Sequence, residues 1–166
     1  MFAEKKFGYS KILSFFNGIG SIWIFLLMLV IINDVGGRVF FNHPMIGTPE
    51  IVSNSIIGIA FLQIGYVLMV GRHVRSTIIY DRFSETGKNI LDLLAYLMGI
   101  FLFILLIYSS WDLFLTSVEI REFEGEGALR VPTYPVRFII LFGSVLILGE
   151  YVTLVIKTIK KLIKNR

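Results

Sequence analysis

Of the residues that could do chemistry in this chain, Glu150 stands apart, because it is the one ionisable side chain well inside a long apolar run. It lies six residues before Ile156, about 9 Å along the axis of a helix rising ~1.5 Å per residue. An ionised carboxylate near mid-bilayer costs about 2.5–3.5 kcal/mol, less toward the interface, so such a residue needs a partner, water or a proton. As function it reads as a coupling-ion or proton site. As structure it reads as a polar contact with Gln63, with the basic ends of the runs, or with another subunit. Its run holds no second acid or histidine for a relay. Asp34 and Arg38 stand four residues apart beyond the first apolar run. If a helix continues through Gly36 and Gly37, they face each other as a surface pair worth a few tenths of a kcal/mol. Orienting the first loop or engaging a partner is then a stronger reason for them than stability. The two histidines, His43 and His73, fall on loops at opposite ends of the runs and cannot share a haem. There are no cysteines, which removes disulfides, thiolate metal sites and cysteine nucleophiles. No Ser/His/Asp set, phosphate loop or metal-spaced cluster occurs. The pattern is not that of an enzyme.

The elements that must position these residues are membrane helices. Of 166 residues, 55% are hydrophobic and 17% charged, and the mean hydropathy is +0.77. A soluble domain carries about a quarter charged residues, so one small aqueous core does not account for this chain. Dominance of Leu, Ile, Val and Phe excludes disorder. Four stretches reach the roughly 20 residues that span about 30 Å of hydrocarbon. They are residues 12–32, 51–70, 93–111 and 136–156, the second with Gln63 as its most polar member. Each must be a helix, because a lone strand in lipid leaves its backbone unsatisfied. The fold expected is an all-α membrane protein, one four-helix domain over residues 1–166. The first run exceeds the usual signal-peptide core and has no small-residue cleavage site after it, so it reads as a retained helix.

Lys and Arg set the orientation. The N-terminal segment, the loop after the second span and the C-terminus hold twelve of them, and the other two loops hold four, Arg38, Arg121, Arg130 and Arg137. That asymmetry places both termini in the cytoplasm. It also makes the basic surplus topological, facing anionic phospholipids and not nucleic acid. Most acids face the other way: Asp34, Glu50, and in a third loop read as residues 112–135, Asp112, Glu119, Glu122, Glu124 and Glu126. Such a loop is either simply solvated or a docking surface for a soluble partner.

Thr48-Pro49-Glu50 has the makings of a helix start, with Thr48 as cap, Pro49 in the first turn and Glu50 at the positive dipole end. Val131-Pro132-Thr133-Tyr134-Pro135 predicts an extended lead into the fourth span. Gly18, Gly20, Ser21, Gly58, Gly65, Gly99, Gly143, Ser144 and Gly149 recur inside the spans, where small residues let membrane helices approach. Trp23 falls mid-span and reads as packing, whereas Tyr108, Trp111 and Tyr134 suit one interface and Phe7 and Tyr9 the other.

Three segments carry a family resemblance. They are Asp34-Val35-Gly36-Gly37-Arg38-Val39-Phe40-Phe41-Asn42-His43-Pro44 with Gly47-Thr48-Pro49-Glu50-Ile51, Arg72-His73-Val74-Arg75, and Gly125-Glu126-Gly127-Ala128-Leu129-Arg130-Val131-Pro132-Thr133-Tyr134-Pro135. In this order around four spans the chain resembles the small, Q-type membrane subunit of tripartite ATP-independent periplasmic (TRAP) transporters. The resemblance implies a periplasmic binding protein that captures an organic anion, and a large membrane subunit that holds the substrate and Na+ sites. The small subunit scaffolds the large one and helps present a surface to the binding protein. It implies no cofactor in this chain and a place in the bacterial inner membrane. Asp34, Arg38 and Glu50 match the first-loop motif, and Arg72 and His73 the inner-loop motif. With Arg130, Arg137 and Glu150 they are the candidates for partner or lipid contact. None is a candidate for catalysis, substrate or metal.

Two other readings stay open. One is a small proton-coupled exporter that self-associates around Glu150. The other is a structural anchor for a different enzyme.

Overall fold

A computed structural model describes residues 8–71, 83–125 and 130–164. Among them four helices are long and apolar enough to cross a membrane: α1 (Gly8–Phe41), α2 (Thr48–Val70), α3 (Glu85–Glu119) and α4 (Tyr134–Lys164). Between α3 and α4 a minimal hairpin pairs β1 (Phe123–Glu124) antiparallel with β2 (Val131–Pro132). Each expected span lies within one helix, and the helices run further. α1 has 34 residues and α3 has 35, about 50 Å each against ~30 Å of hydrocarbon.

The helices form an open row in the order α1–α2–α4–α3, since α1 packs on α2, α2 on α4, and α4 on α3. α2 and α4 run parallel, with Gly58 near Ile139, Phe61 against Gly143 and Gly65 near Ile147. α3 runs antiparallel to α4, with Gly99 on Tyr151 at one end and Phe114 beside Phe138 at the other. The two inner helices bury the core, including Ile59, Leu62, Leu141 and Ile147, while the apolar flank of α3 is open along its most hydrophobic stretch. In a bilayer such a flank is covered by lipid or by another protein.

Glycines make the closest approaches. A Cβ on Gly143 would stand 2.7 Å from the backbone carbonyl oxygen of Phe61, so α2 and α4 meet there only because the side chain is a hydrogen. Gly18, by contrast, has no described residue within 4 Å of where its Cβ would be. Trp23 packs against Gly58 and donates its indole N–H to Ser55 Oγ at 3.2 Å, as a mid-span packing residue should.

Several boundaries differ from expectation. Thr48 does not cap α2. Gly47 takes that position at φ 85°, and the Thr48 hydroxyl donates back to the Met45 carbonyl at 3.2 Å. Pro49 and Glu50 do occupy the first turn. The third loop is shorter than read, because nothing after Trp111 stops the helix. α3 continues through Asp112 to Glu119 and ends where Arg121 turns to φ 48°. The extended lead into α4 is confined to β2 and Thr133, with Tyr134 already helical.

Candidate partner-facing cap and the buried Glu150

At the hairpin end of the bundle, polar side chains fasten the connections to the helix ends. α1 does continue through Gly36 and Gly37, which brings Arg38 Nη2 to 3.0 Å from Asp34 Oδ2. Arg38 is 63% exposed and Asp34 9%, so the pair itself contributes little. The other Asp34 oxygen does more: Oδ1 accepts the backbone N–H of Met45 at 2.8 Å. That bond folds the first loop back over the last turns of α1. Gly37 completes the clasp, because its carbonyl accepts the His43 N–H at 3.0 Å and a Cβ there would press on the His43 oxygen at 2.7 Å. Asn42, at φ 50°, supplies the reversal. The Asp-x-Gly-Gly-Arg run is thus one device, an acid, a close-approach glycine and a cation that shape a loop.

A second fastening holds the hairpin. Asn54, one turn into α2 and 8% exposed, donates from Nδ2 to the Glu50 carbonyl at 3.0 Å and to Glu124 Oε2 at 2.8 Å. Arg137 bridges three elements: Nη2 reaches Glu122 Oε2 at 2.7 Å, and Nη1 donates to the Leu113 carbonyl of α3 at 3.1 Å. The Thr133 hydroxyl also donates to Glu122 Oε2 at 3.1 Å. Around these groups lies an open pocket of about 320 Å³, lined by Asn54, Ile57, Glu122, Glu124, Thr133 and Arg137 among others.

Of the candidates, Asp34, Arg38, Glu50 and Arg137 therefore gather at this end. Arg130 is exposed beside the hairpin. Glu50 is half-buried, and its Oε2 meets no hydrogen-bond partner among the described residues. Arg72, His73 and Glu126 lie outside the described residues. The acidic loop is less free than the sequence suggests, because Glu122 and Glu124 are engaged within the chain, leaving Asp112 and Glu119 exposed on α3. Asn54 is not among the sequence candidates: the most polar residue of the second span is Gln63, and Gln63 packs against Gly20 mid-bundle. An Asn one turn past Glu50 marks the bond to the Glu50 carbonyl, but not the one to Glu124.

Glu150 lies elsewhere. It is 2% exposed, on α4 toward the end where α1 begins and α4 stops, and its Oε1 has no hydrogen-bond partner among the described residues. Tyr9 of α1 packs beside it, and Lys157 lies two turns further along α4. The Tyr9 hydroxyl donates to the Leu146 carbonyl, and a Cβ on Gly149 would collide with that phenol. Among the described residues Gln63 makes no hydrogen bond to its Oε1, and packs against Gly20 instead. The carboxylate is enclosed between helices of one chain, so the exporter reading loses a residue to present to a second copy. No group of three or more His, Cys, Asp or Glu positioned to hold a metal occurs among the described residues.

Fold and site together define a multi-pass helical membrane protein that carries a braced cap at one end. The family model for tripartite ATP-independent periplasmic transporters, DctQ component, matches residues 27–161. The chain belongs to that family and is a small membrane component of a TRAP transporter. A comparison with curated proteins returned no match.

Proposed function

We propose that the chain is the accessory, non-catalytic subunit of a sodium-coupled importer of an organic acid anion delivered by a periplasmic binding protein. It sits in the inner membrane with both termini in the cytoplasm, and scaffolds a large membrane subunit that holds the substrate and Na+. The observation that carries this reading is the open row: α1 and α3 carry long apolar flanks that no described element of this chain covers. A large hydrophobic partner has a surface to pack on there, on α1 and on the part of α3 outside its groove with α4. The braced cap supports the second part of the role, because a binding protein that must dock repeatedly is best met by loops held in one shape, at low ordering cost. Asp34, Arg38, Glu50, Arg130 and Arg137 act there by setting the shape of the docking surface. Arg72 and His73 belong to the cytoplasmic loop and meet phospholipid headgroups or the large subunit. Tyr9 makes the α1–α4 contact beside which Glu150 is buried.

The test is twofold. The tagged chain, solubilised from its native membrane in mild detergent, should bring down one large hydrophobic protein in fixed ratio. Deleting it should abolish uptake of the organic acid, while the chain alone in liposomes transports nothing. Transport by the chain alone would overturn the reading.

A further inference from the structure

A second open cavity, of about 400 Å³, lies between α3 and α4, away from the cap pocket. Its α3 wall is Ile104, Ile107, Tyr108, Trp111 and Asp112, and Leu148 faces them from α4. Intervals of three and four put those five α3 residues on one helix face. The groove exists because bulky rings separate the helices at either end: Phe114 and Phe138 at 6.0 Å toward the cap, Phe103 and Tyr151 at 5.9 Å below. Three features say what fills it. The wall is aliphatic over its lower part, and Tyr108 and Trp111, 79% and 53% exposed, have the amphipathic rings that favour the headgroup boundary. Asp112 stands at the upper end, exposed and in no ion pair with a described residue. Arg137 lies at the same level, bonded to the carbonyl of the neighbouring Leu113, but its charge is already matched by Glu122. From Asp112 to Ile104 is eight residues, about 12 Å of helix, so the groove runs from the boundary into the hydrocarbon.

We propose that this groove is a phospholipid site, taking one acyl chain along Tyr108, Ile107 and Ile104 and turning a primary-amine headgroup to Asp112. An apolar helix of a partner protein seated there would cover the Asp112 carboxylate without a counter-charge, which is costly. An anionic headgroup would be repelled by it. An ammonium headgroup meets the carboxylate while its chain fills the apolar wall.

The test has two arms. A benzophenone side chain placed at Ile107 in the full chain, photolysed in native membrane, should give an adduct whose added mass equals one phospholipid. An adduct with a protein would overturn the proposal. In the second arm the purified full chain is offered phosphatidylethanolamine and phosphatidylglycerol, and retained lipid is counted by native mass spectrometry. Phosphatidylethanolamine should be retained about fivefold over phosphatidylglycerol, the ratio expected of one partly exposed ion pair. Asp112→Asn should bring the two near parity, and Leu148→Trp, which fills the groove, should reduce both. Equal retention by the unaltered chain, or a preference that survives Asp112→Asn, would overturn it.

Discussion

Asp34 shows how one side chain shapes a loop in a place where ion pairing is weak. Its bond to the Met45 N–H is charge-assisted and largely shielded from water, a setting in which such bonds contribute about 1.5–3 kcal/mol. Asp34→Ala should therefore cost about 2 kcal/mol and speed hydrogen exchange at the Met45 amide, whereas Arg38→Ala should leave that amide protected. Glu150 makes the contrasting case. Its Oε1 has no hydrogen-bond partner among the described residues, so Glu150→Gln should change stability by less than about 1 kcal/mol and leave uptake by the assembled transporter intact. Uptake lost with assembly preserved would reinstate the carboxylate as a transport site. Thermal unfolding in detergent and a whole-cell uptake assay read the two arms.

At the scale of elements, helix contacts depend on where a side chain is missing. Gly143→Ala sets a methyl against the Phe61 backbone, which cannot turn aside, and should destabilise the α2–α4 contact by about 1–3 kcal/mol. Gly18→Ala, with open space at the same position, should be neutral or raise the melting midpoint slightly, as alanine favours helix by up to about 1 kcal/mol. Comparing the two midpoints separates packing from propensity. The sequence makes the four hydrocarbon-crossing cores legible, because twenty apolar residues have few other uses. Helix ends are not legible in the same way: hydropathy is silent once the chain leaves the lipid, so α3 runs on through Asp112 unannounced. The cap was half legible. Asp34 and Arg38 are neighbours by helix geometry, whereas Asn54 meets Glu124 across seventy residues, and no local pattern marks that pairing. For the same reason Glu122 and Glu124 looked like free surface charge until the partners Arg137 and Asn54 were placed beside them.

On the scale of the whole molecule, orientation is open to direct measurement because the chain has no cysteine. A single cysteine at Arg130 should react with a membrane-impermeant maleimide from outside intact cells, and one at Lys160 only after permeabilisation. The reverse pattern would invert the protein and move the cap away from any periplasmic partner. The row order has a consequence for how the protein is made. α3 leaves the ribosome before α4, yet α4 is the helix it packs on and the one that separates it from α2. Newly synthesised α3 therefore waits in the bilayer as a solitary span beside a finished α1–α2 hairpin. It carries the most hydrophobic stretch of the four helices, which suits a segment that must enter lipid on its own strength. A nascent chain arrested before α4 should already hold α3 across the membrane, docked to nothing, and it is α4 that then slides between two earlier arrivals.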